Sequence, residues 1–165
     1  MQDTREYRAI AAHYGTRTAL ASGQPLIRHI DQGLKILERI GASDLAQRAF
    51  CLPPLVQADA DLAANISRLR DLTDDVQVIA LALEYRNIAN ATLSTRMLTR
   101  AEEIRLSPLP DVNAMLVADK VQNRADYLRF HRDTHARSEE LDRYFRLWLE
   151  RLGINEERYT ELAAL

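Results

Sequence analysis

The sequence is poor in the residues that bridge or break a chain. Its 165 residues include one cysteine, Cys51, five glycines and five prolines. A lone cysteine excludes an internal disulfide and the disulfide-dense secreted scaffolds, and it points to a reducing, cytoplasmic compartment. So little Gly and Pro favours long elements joined by short loops. No apolar run approaches the roughly 20 residues of a membrane span. The charged start MQDTREYRAI lacks the apolar core of a signal peptide. Charge of one sign is missing too. The formal net charge is −2, which gives no global attraction to nucleic acid or to an anionic membrane. Lysine is nearly absent, with Lys35 and Lys120 alone among the basic residues that are otherwise arginine. Arginine is the better fork for phosphate, although genome composition produces the same bias. The sequons Asn65-Ile66-Ser67 and Asn90-Ala91-Thr92 lie inside helical patterns and read as chance matches.

What is present is apolar residue at helical spacing. Hydrophobic residues make up 47% of the chain, which excludes a disordered class. The length suits one domain, residues 1–165, with a core of several helices. Asp3 is placed to cap a first helix reaching about Ala21. Leu26, Ile30, Leu34, Leu37 and Ile40 step by three or four towards a stop at Gly41. Ser43 caps a short segment to Leu52. Leu62, Ile66, Leu69 and Leu72 form another stripe. Thr73 caps a helix from about Asp74 to Met97, whose run VQVIALALEY is apolar nearly all round and reads as the central buried helix. After the break Ser107-Pro108-Leu109-Pro110, Asp111 caps a helix carrying Val112, Met115, Leu116, Val121 and Leu128. Ser138 caps the next, with Trp148 inward and Gly153 as its stop, and Asn155 caps a last one. No useful β-alternation appears. The expected fold is all-α, a compact single-domain helical bundle.

Pro53 and Pro54 interrupt this pattern. Proline inside a helix loses a hydrogen bond and clashes with the preceding turn, but the first helical turn tolerates it. Pro54 also disfavours helix at the residue before it. One helix therefore ends near Leu52 and another begins near Pro54 or Leu55.

Three segments in order, GQPLIRH at residues 23–29, AFCLPPLVQADAD at 49–61 and LVADKVQN at 116–123, resemble the HD-domain hydrolases of the RelA/SpoT type, in their small stand-alone form. YFRLWLERLGI, residues 144–154, resembles that family's closing helix, so the likeness covers most of the chain. The resemblance implies an HD-domain-like helical bundle that removes pyrophosphate from guanosine tetraphosphate, or acts on a related nucleotide, with a manganese-like ion. It implies His29 and Asp119 as metal ligands, and Lys120 and Asn123 as nucleotide-facing residues. Arg17 falls a few residues from where the family carries basic nucleotide contacts. The family's His-Asp pair falls on Pro53 and Pro54, and its catalytic Glu-Asp on Gln57 and Ala58. Four of the six residues that carry the chemistry are thus replaced. A lone His and a lone Asp make a weak divalent site, no metal-bound water is then activated, and an amide such as Gln57 does not titrate as a general base. The expectation is an HD-type nucleotide hydrolase whose metal site is impaired. The alternative is an inactive nucleotide-binding or protein-interaction member of that fold. The expected partner is a guanosine polyphosphate or a related nucleotide, with no nucleic acid and no membrane, and a homo-oligomer is left open.

Other readings compete. Asp59, Asp61 or His13 could rebuild the site if they approach His29. Asp119, among apolar neighbours, needs a partner, which could be metal, Lys120 or Arg124. His131 and His135 have a zinc-compatible i, i+4 spacing without a third ligand, and read first as a solvated loop. Glu84, Tyr85, Arg86 and Asn87 line a pocket or mark a helix's exit to solvent.

Overall fold

Helical periodicity becomes helix along nearly all of the computed structural model, which describes residues 1–20 and 22–165. The helices are α1 (Arg5–Tyr14), α2 (Ile27–Arg39), α3 (Asp44–Ala49), α4 (Pro53–Val56), α5 (Asp59–Asn65), α6 (Leu69–Leu72), α7 (Val76–Ala91), α8 (Pro110–Phe130), α9 (Ser138–Arg151) and α10 (Glu156–Ala163). Short 3-10 turns cover Ile66–Arg68 and Ala101–Glu103. Among the described residues the only β pairing is the isolated bridge Thr18–Pro25. This is an all-α single domain, and no described helix is long and apolar enough to cross a membrane.

The stops follow the sequence closely. Gly41 and Gly153 adopt φ of +71° and +75°. At each, two backbone N–H groups fold back on the helix: Gly41 to Glu38 and Ala42 to Leu37, Gly153 to Glu150 and Ile154 to Leu149. This is the Schellman arrangement, which a β-carbon would strain. The Ser43 side chain accepts from the Ala46 N–H, and that of Asn155 from the Arg158 N–H.

Several starts and ends differ. Thr4, not Asp3, caps α1 by accepting from the Tyr7 N–H. That helix stops at Tyr14, because Gly15 follows with a positive φ; Ala21, its expected end, lies outside the described residues. Helix α4 begins at Pro53, one residue earlier than expected, with both prolines in its first turn where no intrahelical N–H is needed. Pro110 likewise opens α8, and Asp111 stands in its first turn instead of capping it. Asp75, not Thr73, caps α7, which ends at Ala91, not near Met97. The stripe Leu62–Leu72 breaks into α5, a 3-10 turn and α6, and leaves Ile66 exposed.

The central helix is α8, not α7. Helix α8 packs against α2, α3, α7, α9 and α10. It buries Val112, Met115, Leu116, Val117, Ala118 and Val121, and with them Asp119, Lys120, Gln122 and Arg124. Those four polar residues disguise it as a surface helix. Helix α7 buries one face, through Val78, Leu81, Ala82, Tyr85, Ile88 and Ala89, and leaves Val76 exposed.

Gly33 on α2 faces Phe50, which caps the end of α3. A β-carbon there would lie 2.2 Å from the Phe50 ring, which is itself buried. Gly33→Ala gains about 1 kcal/mol of helix propensity but overpacks this contact at a cost of about 1–3 kcal/mol. The variant is expected to melt below the wild type, and Gly33→Ala with Phe50→Leu to recover the loss. A single variant that melts higher would mean the ring moves aside freely.

Glu6 on α1 is 1% exposed. Its Oε1 accepts from Arg48 Nη2 on α3 at 2.8 Å and from the Thr73 hydroxyl before α7. Arg48 Nη1 also reaches Asp75 at 3.2 Å. One guanidinium thereby ties α1, α3 and the start of α7. Burial pushes the Glu6 carboxyl up, but hydrogen bonds from Arg48 and Thr73 outweigh it and hold it below the ordinary carboxylate value.

Candidate functional site

His29 stands in the first turn of α2, just after the Thr18–Pro25 bridge steers the chain into that helix. It faces the middle of α8. Its Nε2 lies 3.6 Å from Asp119 Oδ1. Its Nδ1 pairs with the side-chain oxygen of Gln122, so the proton on that nitrogen donates to the amide. The ring stacks on Phe50, with centroids 6.0 Å apart.

Asp119 is engaged on both oxygens. Lys120 Nζ sits 2.8 Å from Oδ2. Asn123 Nδ2, one turn along α8, donates to Oδ1 at 2.8 Å. The Tyr85 hydroxyl of α7 faces the same carboxylate. Burial alone would push the Asp119 carboxyl up, but the Lys120 charge, then His29, outweigh it and hold it below the usual range. Lys120 is buried as well, its ammonium 4.9 Å from the Trp148 ring centroid and 5.6 Å from that of Tyr144. Burial favours its neutral form, yet the Asp119 charge prevails and raises the Lys120 pKa to about 12. Burial first, then the Asp119 charge, raise Tyr85 well above the ordinary phenol value, so its hydroxyl stays protonated.

His29, Asp119, Lys120 and Asn123 therefore meet. Arg17 does not join them. It is exposed, and its guanidinium donates to the backbone oxygens of His13 and Tyr14 at the end of α1. The candidates for rebuilding the site stay away too: Asp59 pairs with Arg86, and His13 is exposed at the end of α1. Gln57 exchanges hydrogen bonds with Asn90, its Nε2 donating to Asn90 Oδ1 at 3.4 Å and its backbone oxygen accepting from Asn90 Nδ2 at 2.9 Å. Arg124 pairs with Glu156 instead of Asp119.

A manganese-like ion needs several anionic or imidazole ligands converging. Among the described residues no three His, Cys, Asp or Glu side chains come together to hold one. His29 and Asp119 are two donors only, and the carboxylate already carries an ammonium and an amide. This donor set does not fit the ion.

Beside Asn123 opens a cleft of about 430 Å³ between α8, α9 and the loop after α1. Tyr127, Phe130 and Phe145 line it, with His131 and His135 at one end. Those two histidines lie in a turn, and His135 Nδ1 accepts from the Arg137 N–H, which leaves that nitrogen no lone pair for a metal.

Sequence reading missed Gln122 and Phe50 around the pair, while Tyr85 belongs to the segment it offers as a pocket lining or a helix exit and is buried facing Asp119. Gln122 stands three residues after Asp119, on the same side of α8, and that spacing is its one available signal. Nothing local marks Phe50, which arrives from the end of α3. Compared with protein-family models, curated proteins and solved structures, the chain matches none.

Proposed function

We propose that this chain is a catalytically silent, HD-domain-like helical protein that binds a guanosine polyphosphate or a related nucleotide beside Asn123 and does not hydrolyse it. The observation that carries this reading is the state of Asp119. Its carboxylate holds Lys120 and Asn123 as partners, faces His29, and meets no further carboxylate or imidazole. Where the resemblance places a metal ligand, the chain has an internal ion pair. A buried pair of this kind supplies neither a metal-bound water nor a titrating base.

The adjoining cleft supports the binding half. Its volume falls within the roughly 300–1,000 Å³ of small-ligand sites, and its aromatic lining suits a stacked nucleobase. Asn123 offers an amide at its edge.

The test is calorimetric titration with guanosine tetraphosphate in excess chelator, beside a phosphate-release assay with manganese. Binding is expected to survive chelation, and Asn123→Ala to weaken it about tenfold, the worth of one hydrogen bond of about 1.4 kcal/mol. Manganese is expected to leave the melting midpoint unchanged, since only an ion bound by the folded state raises it. Metal-dependent pyrophosphate release would sink the reading, and so would the absence of binding.

A further inference from the structure

A second cleft, of about 700 Å³, opens between α7 and the α4–α5 segment. Pro54, Gln57, Asp59, Asp61, Arg86 and Asn90 line it, and it shares no lining residue with the Asn123 cleft. Its chemistry centres on Arg86. A guanidinium has a side-on edge made by Nε–H and one Nη, and a carboxylate can accept from both at once. Here the Asp59 carboxylate engages Nη2 alone. The Nε–H of the same edge is buried and has no hydrogen-bond partner among the described residues. Arg86 is thus half-satisfied by a side chain that is itself 95% exposed. An ion pair so open to water is weak, whereas a buried N–H without an acceptor is costly. A carboxylate that took both donors would displace Asp59 with a net gain.

Two of the remaining polar groups offer acceptors, while the Gln57 and Asn90 amide groups donate to each other. Asp61 lines the same cleft and has no ion-pair partner among the described residues. Gln57 uses its amide N–H on Asn90, and its side-chain oxygen makes no hydrogen bond among the described residues. A phosphate dianion would meet two carboxylates here against one guanidinium. For a carboxylate that also carries an ammonium, the same cleft offers Arg86 to the first group and Asp61 and the Gln57 oxygen to the second.

We propose that the α4–α5/α7 cleft binds a small zwitterion of the α-amino acid class, its carboxylate side-on to Arg86 and its ammonium towards Asp61, with Asp59 as the internal group it displaces. This site does not depend on nucleotide binding at Asn123.

Calorimetric titration with a panel of free α-amino acids tests it, with acetate and inorganic phosphate as separate arms. At least one amino acid is expected to bind saturably, and neither anion to bind comparably. Arg86→Gln and Asp61→Asn should each weaken that binding about tenfold or more, the effect of losing one partner of a charge-assisted contact. Asp59→Ala should tighten it several-fold, because the competing carboxylate is gone. That substitution removes a nearly fully exposed side chain, so it reports even if Arg86→Gln fails to fold. No binding to either the wild type or Asp59→Ala overturns the proposal. So does phosphate or acetate binding as well as the amino acid, or weaker binding in Asp59→Ala. Guanosine tetraphosphate titrated into Arg86→Gln reads the other cleft independently and is expected to bind unchanged.

Discussion

Lys120→Met is expected to destabilise the fold by about 3–5 kcal/mol, the usual cost of removing one partner from a buried ion pair. Lys120 is the principal countercharge of Asp119, and both side chains are under a tenth exposed. Methionine keeps most of the volume between Tyr144 and Trp148, so packing changes little. What remains is a carboxylate enclosed in the core with His29, Asn123 and the Tyr85 hydroxyl as its polar company. The double variant Asp119→Asn with Lys120→Met should recover much of the loss, since a buried pair replaced as a unit is often neutral. Urea unfolding of the three proteins measures both effects. A single variant within about 0.5 kcal/mol of the wild type, the range of ordinary surface substitutions, would mean the pair is not the hub of the core.

The pair also sets pH limits. The Lys120 pKa is raised from an ordinary 10.5 to about 12 in the folded state. Its contribution is therefore fully present below the unfolded value and fades as pH rises through about 12. The Asp119 carboxyl is held below its ordinary 3.8, so its contribution is present above that value and is lost as pH falls through the lower folded one. Between those limits the wild type should show no change of stability from this pair.

Arg48→Met should cost a similar amount, about 3–5 kcal/mol at neutral pH, for a related reason. It strands Glu6, whose second oxygen has no partner among the described residues even in the wild type. The two variants differ in acid. With Arg48 present, Glu6 sits below its ordinary 4.5, and its stabilising share is lost only as pH falls through that lower value. With Arg48 gone, its hydrogen bond and its charge no longer oppose burial, and the folded carboxyl is expected to move up, above the unfolded one. Its penalty is then full above the raised value and shrinks as pH falls towards the unfolded value, where a neutral Glu6 is buried at less cost. The stability gap between wild type and Arg48→Met should narrow on acidification. A gap independent of pH would show that Arg48 acts through packing of its stem, not through Glu6.

Much of the secondary structure was legible because it is local. Gly41, Gly153, Ser43 and Asn155 end or begin helices by hydrogen bonds within a few residues, so spacing alone exposes them. Pro53 and Pro110 illustrate the limit of such reasoning. The sequence places the helix starts near Pro54 or Leu55 and just after Asp111, whereas Pro53 and Pro110 are themselves the first helical residues, where proline is tolerated. The central helix was misplaced for a different reason. VQVIALALEY reads as buried on hydropathy, while α8 carries a pair that neutralises itself, Asp119 with Lys120, a glutamine bonded to His29 and Asp126, and an arginine paired with Glu156, and all four become buried. Hydropathy scores a residue alone, and a buried ion pair is a property of two.

The candidate site divides in the same way. His29, Asp119, Lys120 and Asn123 could be named from their order along the chain, and the last three share a stretch of α8 short enough for helical geometry to group them. The sequence by itself determined an all-α chain and most of its helix stops. Only the tertiary structure decided that His29 reaches Asp119, that Lys120 takes the carboxylate inside a box of Tyr144 and Trp148, and that Arg86 is left half-satisfied by Asp59. Those facts join residues from separate helices. Local periodicity decides which face of a helix is apolar, but partnership between charges is set by the packing of whole helices, and no spacing along the chain encodes it.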